Sequence, residues 1–330
     1  MKLRIATFNL ENLDSKPDQK PTLQERIAVM RPQLQRINAD ILCLQEVNGQ
    51  KTDDALHLLA LDALLKDTKY ANFNRVFTID ENGSQIYPER NLVILSSYEI
   101  LEHHQYKHYF APAPLYRIVT EMKNEGEEQK VSDITWERPI LLSRIKIGER
   151  VLNVINLHLK SKLPTDIKGQ KLDNFTWKTS SGWAEGFFLS SMKRVGQALE
   201  TRMLIDKLFD EAEDSWIVVC GDFNSDFDDV PVEAIRGRIE NTGNGELAKR
   251  ILLPCEMSIP ESARFSLYHQ GKGNMLDHLL VCRNMLAYFK VSEVHNELLH
   301  DESIAFATDI KFPESDHAPV IAEFEIPDIS

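Results

Sequence analysis

The chain has 330 residues, with 38 Lys and Arg against 51 Asp and Glu, a formal net charge of −13. Apolar residues at 42% beside charged residues at 27% fit a folded chain with a large core, which excludes intrinsic disorder, a collagen-like repeat and a disulfide scaffold. The negative field excludes broad attraction to DNA or anionic membranes, so a polyanionic substrate must be met by a local cationic patch or a metal ion.

In chain order, residues 3–8 alternate as a strand, with Leu3, Ile5 and Thr7 against Arg4 and Ala6, and are expected to be a strand rather than a signal peptide. Helical periodicity covers 23–37 behind Thr22, where Glu25 completes a capping box. A buried strand at 41–45 precedes a second helix at 55–65 and a strand at 92–96. Residues 117–157 read as an antiparallel meander with turns at Asn124-Glu125-Gly126 and Gly148-Glu149, including strands 140–147 and 151–157. A non-periodic stretch, about 160–191, is too long for a plain connection and reads as an insertion. A helix at 192–209 and strands at 216–220, 277–281 and 318–326 complete the chain. Mixed strands, hairpins and helices point to an α+β fold, and no G-x-G-x-x-G or P-loop follows any strand. Cys43, Cys220, Cys255 and Cys282 lie in apolar runs without C-x-x-C spacing and read as free buried thiols. No apolar run is long enough to span a bilayer, and a cytoplasmic protein without a membrane partner is expected.

Four polar clusters end strand-like runs: Thr7-Phe8-Asn9-Leu10-Glu11-Asn12, Cys43-Leu44-Gln45-Glu46-Val47, Cys220-Gly221-Asp222-Phe223-Asn224-Ser225 and Glu314-Ser315-Asp316-His317-Ala318-Pro319. Singly, each is a turn or cap signal. Together and in this order they resemble the endonuclease/exonuclease/phosphatase superfamily, over nearly the whole chain from Asn9 to about Phe324. The resemblance implies a four-layer αββα sandwich, two mixed β-sheets packed face to face with helices outside. It also implies a site at one rim where both chain ends meet, hence one domain over 1–330.

The resemblance further implies an Mg2+-dependent phosphoester hydrolase, with Mn2+ as a possible substitute. A nuclease acting on nucleic acid is the first reading. A phosphatase or phosphodiesterase for a nucleotide, inositol or lipid phosphate is the alternative, and a non-catalytic binding module the third. Glu46 is a hard oxygen ligand suited to Mg2+, with Asn9 beside it as ligand or orienter and Asp316 as ligand or orienter. Asp222 would orient or deprotonate the attacking water, Asn224 would bond a phosphate oxygen, and His317 would bind the phosphate. Asp277 matches the carboxylate that holds His317. His158 matches a second site histidine, with Glu89, in Tyr87-Pro88-Glu89-Arg90-Asn91-Leu92, as its partner. Arg138 resembles an arginine facing the site, with Arg144 as its rival.

His104 and His108 have metal-ligand spacing, but the neighbouring Tyr106, Tyr109 and Phe110 make the stretch strand-like and no third ligand is evident. His57, His269, His278, His295 and His300 receive no role. In the insertion, Lys160, Lys162, Lys168, Lys171 and Lys178 outnumber Asp166 and Asp173, interleaved with Phe175, Trp177 and Trp183. That mixture suits either nucleic-acid contact or a packed flap. A sphingomyelinase-like activity is disfavoured because no exposed apolar helix is expected.

Overall fold

The computed structural model describes residues 1–122 and 131–327. The sheet strands are β1 (Lys2–Leu13), β2 (Ile41–Val47), β3 (Asn74–Phe77), β4 (Asn91–Ser96), β5 (Ile100–Tyr106), β6 (Ile140–Ile147), β7 (Arg150–His158), β8 (Trp216–Asp222), β9 (Leu252–Pro254), β10 (Asp277–Cys282), β11 (Phe289–Val294) and β12 (Val320–Glu325). They form two six-stranded sheets, in the orders β11-β12-β1-β2-β4-β3 and β9-β10-β8-β7-β6-β5. Each sheet is built around one parallel pair, β1 with β2 and β7 with β8. The neighbours of these pairs, β12, β4, β10 and β6, run antiparallel. The C-terminal ends of the parallel strands and the N-terminal ends of β10 and β12 therefore share a rim.

Alternation along the strands explains the layers. Leu3 and Ile5 of β1 and Cys43 of β2 join the core between the sheets, while Ala6, Phe8, Leu42 and Leu44 face the other way. The second set packs on Met30, Leu34, Leu61 and Leu64 of α1 (Leu23–Ile37) and α2 (Leu59–Leu65). On the far side α3 (Ser180–Glu211) covers the second sheet through Ala198, Leu204, Ile205 and Leu208, with α4 (Val230–Arg236) beside it. The result is the αββα sandwich. Each fully buried Leu or Ile contributes roughly 1.5–3 kcal/mol of transfer free energy. All four cysteines are free and buried. No helix among the described residues is long and apolar enough to cross a membrane.

Several expected boundaries move. The expected capping box at Thr22 and Glu25 is formed. The second helix begins only at Leu59, because Asp53 takes a left-handed turn that folds Ala55–His57 back onto Gln50–Thr52 as a hairpin. The Gly148-Glu149 turn joins β6 to β7, whereas Leu115–Tyr116 and Ser132–Asp133 make only a separate short ladder. The turn expected at Asn124-Glu125-Gly126 lies outside the described residues.

Helix α3 starts 12 residues earlier than its periodicity suggests, capped by Thr179. Gly182 and Gly186 hide it: a Cβ at Gly186 would sit 2.5 Å from the Thr165 carbonyl oxygen and 2.9 Å from Trp177, so the helix needs glycine where the 160–179 segment crosses it. Its solvent side carries Trp183, Phe187, Phe188, Val195, Leu199 and Met203, all exposed. This is an exposed apolar helix face, contrary to the expectation from sequence.

Candidate active site

The two sheets are tied together just below the rim. Gln45 Nε2 donates to Asn156 Oδ1 at 2.7 Å, and Asn156 Nδ2 reaches the Leu44 and Val93 carbonyls at 3.1 Å each. Above this link both β1 and β2 lose regular register. Glu11, Asn12, Glu46, Arg90 and Asn224 all adopt left-handed φ angles between 46° and 60°. Asn tolerates such backbone, but it is disfavoured for Glu and Arg and gathers at functional sites. At β2 the irregularity turns Glu46 toward the rim, where strict alternation would send it toward α1. Buried Arg26 holds the β1 bulge, donating to the Leu10 and Glu11 carbonyls at 2.7 and 2.9 Å. Ser315 Oγ donates to the Asn9 carbonyl at 2.8 Å, which brings the end of the chain to its beginning.

Asp222 is the centre of the cluster and is 1% exposed. It follows Gly221 at φ 140°, where a Cβ would lie 1.9 Å from the Leu157 carbonyl oxygen, so β8 can run beside β7 here only with glycine. Asp222 Oδ2 accepts from Asn9 Nδ2 and Asn224 Nδ2, both at 3.0 Å, and lies 3.2 Å from His158 Nε2 and 3.9 Å from His317 Nε2. Burial by itself would raise its pKa, but His317 and His158 outweigh burial and hold the carboxyl well below the usual range.

His317 Nδ1 lies 2.6 Å from Asp277 Oδ2, the pairing expected from sequence. Burial opposes the imidazolium, yet Asp277 and Asp222 together hold the His317 pKa well above the ordinary histidine range. Burial pushes the Asp277 carboxyl up, assisted by the charge on Asp222 and opposed by His317. Both directions describe one proton held tightly between the two groups. A raised histidine pKa stabilises the fold fully below the unfolded value of about 6.5, a contribution lost as pH rises through the folded value. Asp277→Asn should therefore lower the His317 pKa and move the alkaline limb of any activity profile to lower pH. NMR titration of His317 in both proteins measures it; an unchanged pKa would remove Asp277 from the site.

His158 is also buried, and its Nε2 faces Asp222 and, at 3.5 Å, Glu46 Oε1. Burial, with Arg138, lowers its pKa. The expected Glu89–His158 pair is not formed. Glu89 is exposed and lies 3.9 Å from Lys16, while His158 Nδ1 has no hydrogen-bond partner. The neighbouring Arg90, itself exposed, reaches the rim instead and donates to Asn12 Oδ1 at 3.2 Å, where its charge faces Glu46. Arg138 is buried and donates to the His158 and Leu159 carbonyls at 3.1 and 3.3 Å. Its rival Arg144 lies elsewhere, ion-paired to Glu102 and Glu211. His104 sits on β5 beside Glu102, away from the rim.

Of the two roles expected for Asn9, its contacts fit the orienter, whereas Asn224 departs from the phosphate contact expected of it. Asn9 Nδ2 is given to Asp222 and its Oδ1 accepts from the Glu11 amide at 2.9 Å, so it orients Asp222 rather than offering an unused oxygen to a metal. Asn224 spends its amide nitrogen on Asp222 and, at 3.1 Å, on the Leu159 carbonyl, leaving neither hydrogen for a phosphate.

A hard cation fits the neighbouring carboxylates. Asp316 Oδ1 is buried with no hydrogen-bond partner, 4.0 Å from His317 Nε2, and burial plus the charges of Glu11 and Glu46 push the Asp316 carboxyl well up against the pull of His317. Burial also raises Glu11, whereas Glu46, despite burial, is held down by His158, Arg90 and Arg138. Like charges gathered around an unused oxygen suit a divalent ion held by Glu46 and Asp316. Asp316, with Glu11, Asn12 and Arg26, lines a cavity of about 340 Å3. Ligand-type atoms of Asp222, Asp277 and His317 also lie within 4.8 Å of one another, a possible metal site. Their short Asp277–His317 bond makes them better suited to hold a proton.

The 160–179 segment leaves the rim two residues after His158. Its Lys162 is exposed and paired with Asp229 at 2.9 Å, and Lys171 is paired with Asp166 at 2.6 Å. Ile167 is buried with Ile134 and Leu189, which anchors the segment, while Leu172 and Phe175 at its tip are 68% and 83% exposed. Burial pulls the pKa of Lys160 down to about 8. Arg90, directly after the favoured Glu89, was legible only as part of that run.

No curated protein sequence matches the chain. Among solved structures it is similar to a humanized D. rerio TDP2 carrying 14 mutations, at 15% identity and TM-score 0.58, covering 98% of this chain and 99% of that one. It is similar to a Bacteroides thetaiotaomicron mannosyl-6-phosphatase at 16% identity and TM-score 0.57, covering 98% and 100%. A Neisseria 3' phosphatase, NExo, bound to product DNA hairpin aligns at 18% identity and TM-score 0.54, again covering 98% and 100%. At these identities the likenesses show a shared fold. The model of the endonuclease/exonuclease/phosphatase family matches residues 6–317, nearly the whole length over which the four rim clusters are spread, and the chain belongs to that family.

Proposed function

We propose that the protein hydrolyses phosphate esters with Mg2+, and that it is a nuclease cleaving phosphodiester bonds by in-line attack of an activated water. The observation that carries this reading is the position of Asp222, buried among three donors and facing two histidines beside the carboxylates of Glu46 and Asp316. A carboxylate held so acidic is a weak base, so Asp222 orients the water more than it deprotonates it. His317, kept protonated by Asp277, faces the charge that develops on the phosphate oxygens. Arg90 and Arg138 add positive charge on the Glu46 side. Mg2+ held by Glu46 and Asp316 would neutralise phosphate and leaving-oxygen charge. Asn9 and Asn224 keep Asp222 in register.

A second reading, a phosphatase or phosphodiesterase for a lipid phosphate, is favoured by the exposed Leu172 and Phe175 and by the apolar face of α3. A substrate panel with Mg2+ separates the readings: supercoiled plasmid, single-stranded RNA, bis-p-nitrophenyl phosphate, inositol phosphates and a micellar lipid phosphate. Turnover of polynucleotides supports the nuclease; turnover confined to the micellar ester replaces it with the second reading.

The lysines of the 160–179 segment give a further check. Neutralising Lys162, Lys168, Lys171 and Lys178 together should raise KM for polynucleotides and flatten the salt dependence of binding, by a log–log slope of about 0.7–0.9 for each phosphate no longer neutralised. A small diester should be hydrolysed as before. Equal losses on both substrates, or a lower Tm without a salt effect, would make the segment a structural flap.

A further inference from the structure

Strand β10 alternates, so Asp277 faces the site and the next residue, His278, faces the opposite side. His278 and Glu256 are both fully buried. Nδ1 of His278 lies 2.7 Å from Glu256 Oε1, and Nε2 lies 2.8 Å from the Ser225 carbonyl oxygen. A carboxylate and a carbonyl are both acceptors, so the pair carries one proton more than a carboxylate and a neutral imidazole hold. The other Glu256 oxygen accepts from the Leu279 amide at 3.3 Å, and the rings of Phe223 and Phe227 close on the imidazole edge-on at 5.0 Å.

Burying such a pair costs more than burying apolar groups of the same size. What it adds is direction, a donor aimed at one carbonyl of the turn that carries Asp222 and Asn224. That turn bends at Asn224 with φ 49° and is also tied by the Leu159 amide on the Asp222 carbonyl at 2.9 Å, the Phe223 amide on the Leu276 carbonyl at 2.8 Å, the Asn224 amide on Asp222 Oδ1 at 2.8 Å, the Asp226 amide on Asp229 Oδ2 at 3.0 Å and the Asn224 side chain. We propose that His278 is a positioning residue, whose Nε2–H, oriented by Glu256, clamps the Ser225 carbonyl and thereby fixes the turn that aims Asp222 at the substrate. The geometric part stands alone; its effect on rate rests on the hydrolase reading above.

Two amide substitutions separate the clamp from simple packing. In His278→Gln the amide nitrogen takes about the place of Nε2 and keeps the Ser225 bond. In His278→Asn it takes about the place of Nδ1 and keeps only Glu256. With Mg2+ and bis-p-nitrophenyl phosphate, the Asn variant should lose about 10- to 100-fold in kcat with KM nearly unchanged, as small misplacements do, while the Gln variant retains most of kcat. Equal kcat in the two, or a loss confined to Tm, overturns the proposal. If neither variant folds, Glu256→Gln, which keeps an acceptor at Nδ1 but removes the charge, should lower kcat at constant KM; unchanged kcat there is equally adverse. Hydrogen exchange at the Asn224 and Asp226 amides decides the clamp without any assay: faster in the Asn than in the Gln variant supports it, and equal rates sink it. A wild-type protein that hydrolyses none of the panel would refute the hydrolase reading and leave the exchange comparison to judge the clamp.

Discussion

Asp222→Asn and His317→Ala are each expected to lower kcat by about 10² or more, the usual scale for groups that act directly on a reacting proton or charge. Asp222 is reached by Asn9, Asn224 and His158, and His317 lies 3.9 Å from it, so in the proposed reaction the two side chains would act on one phosphate as a unit. Their effects should be far from additive, with the double variant little slower than the worse single one. The charge change matters more than the shape change. Asn at 222 keeps the size of the side chain but removes the anion that His317 and His158 face, and those two buried imidazoles lose a counter-charge. KM should move less than kcat. Steady-state kinetics on bis-p-nitrophenyl phosphate measure all three variants, and a single loss below about tenfold, or strictly additive losses, would count against the assignment.

Glu46→Gln is expected to fold normally and to lose most Mg2+-dependent activity together with Mg2+ affinity. Glu46 is the one carboxylate of its cluster that nearby cations hold ionised, whereas burial and like charge raise Glu11 and Asp316. In the proposed metal site it would therefore be the oxygen ligand that needs no proton removed before a divalent ion binds. The amide keeps the acceptor for the Asn12 backbone N–H, which donates to Glu46 Oε2 at 3.0 Å, so the left-handed turn should survive. Calorimetric titration with Mg2+ reads binding without reference to turnover. Wild-type affinity and full activity at low Mg2+ in this variant would remove Glu46 from the metal site.

The central strands were legible because sheets buried on both faces read as continuous apolar runs, as in 41–44 and 216–220. The rim residues were legible because polar side chains directly after such runs stand at the ends of parallel strands. Edge elements were not: β3 and β11 are short and half-exposed, with no apolar period to announce them. The N-terminal turns of α3 were hidden by glycines needed for a close crossing and by an apolar solvent face that erases amphipathic contrast. Within the site, the Asp277–His317 pair followed from the family resemblance of the clusters around the two residues. Glu89 failed because a left-handed Arg90 presents the next side chain to the rim. Asn9 and Asn224 lie at the rim beside Asp222, but their hydrogen-bond partners depend on distances between two sheets, and His278 has no legible role in the sequence because its partner Glu256 lies 22 residues away.

The most direct test of Mg2+-dependent phosphoester hydrolysis is p-nitrophenol release from bis-p-nitrophenyl phosphate, followed while Mg2+ is titrated into chelator-treated wild-type protein and into Asp222→Asn. Saturable turnover that appears with Mg2+ in the wild type and is lower by about 10² or more in the variant is the expected result. Turnover indifferent to Mg2+, or equal in the two proteins, would contradict the account.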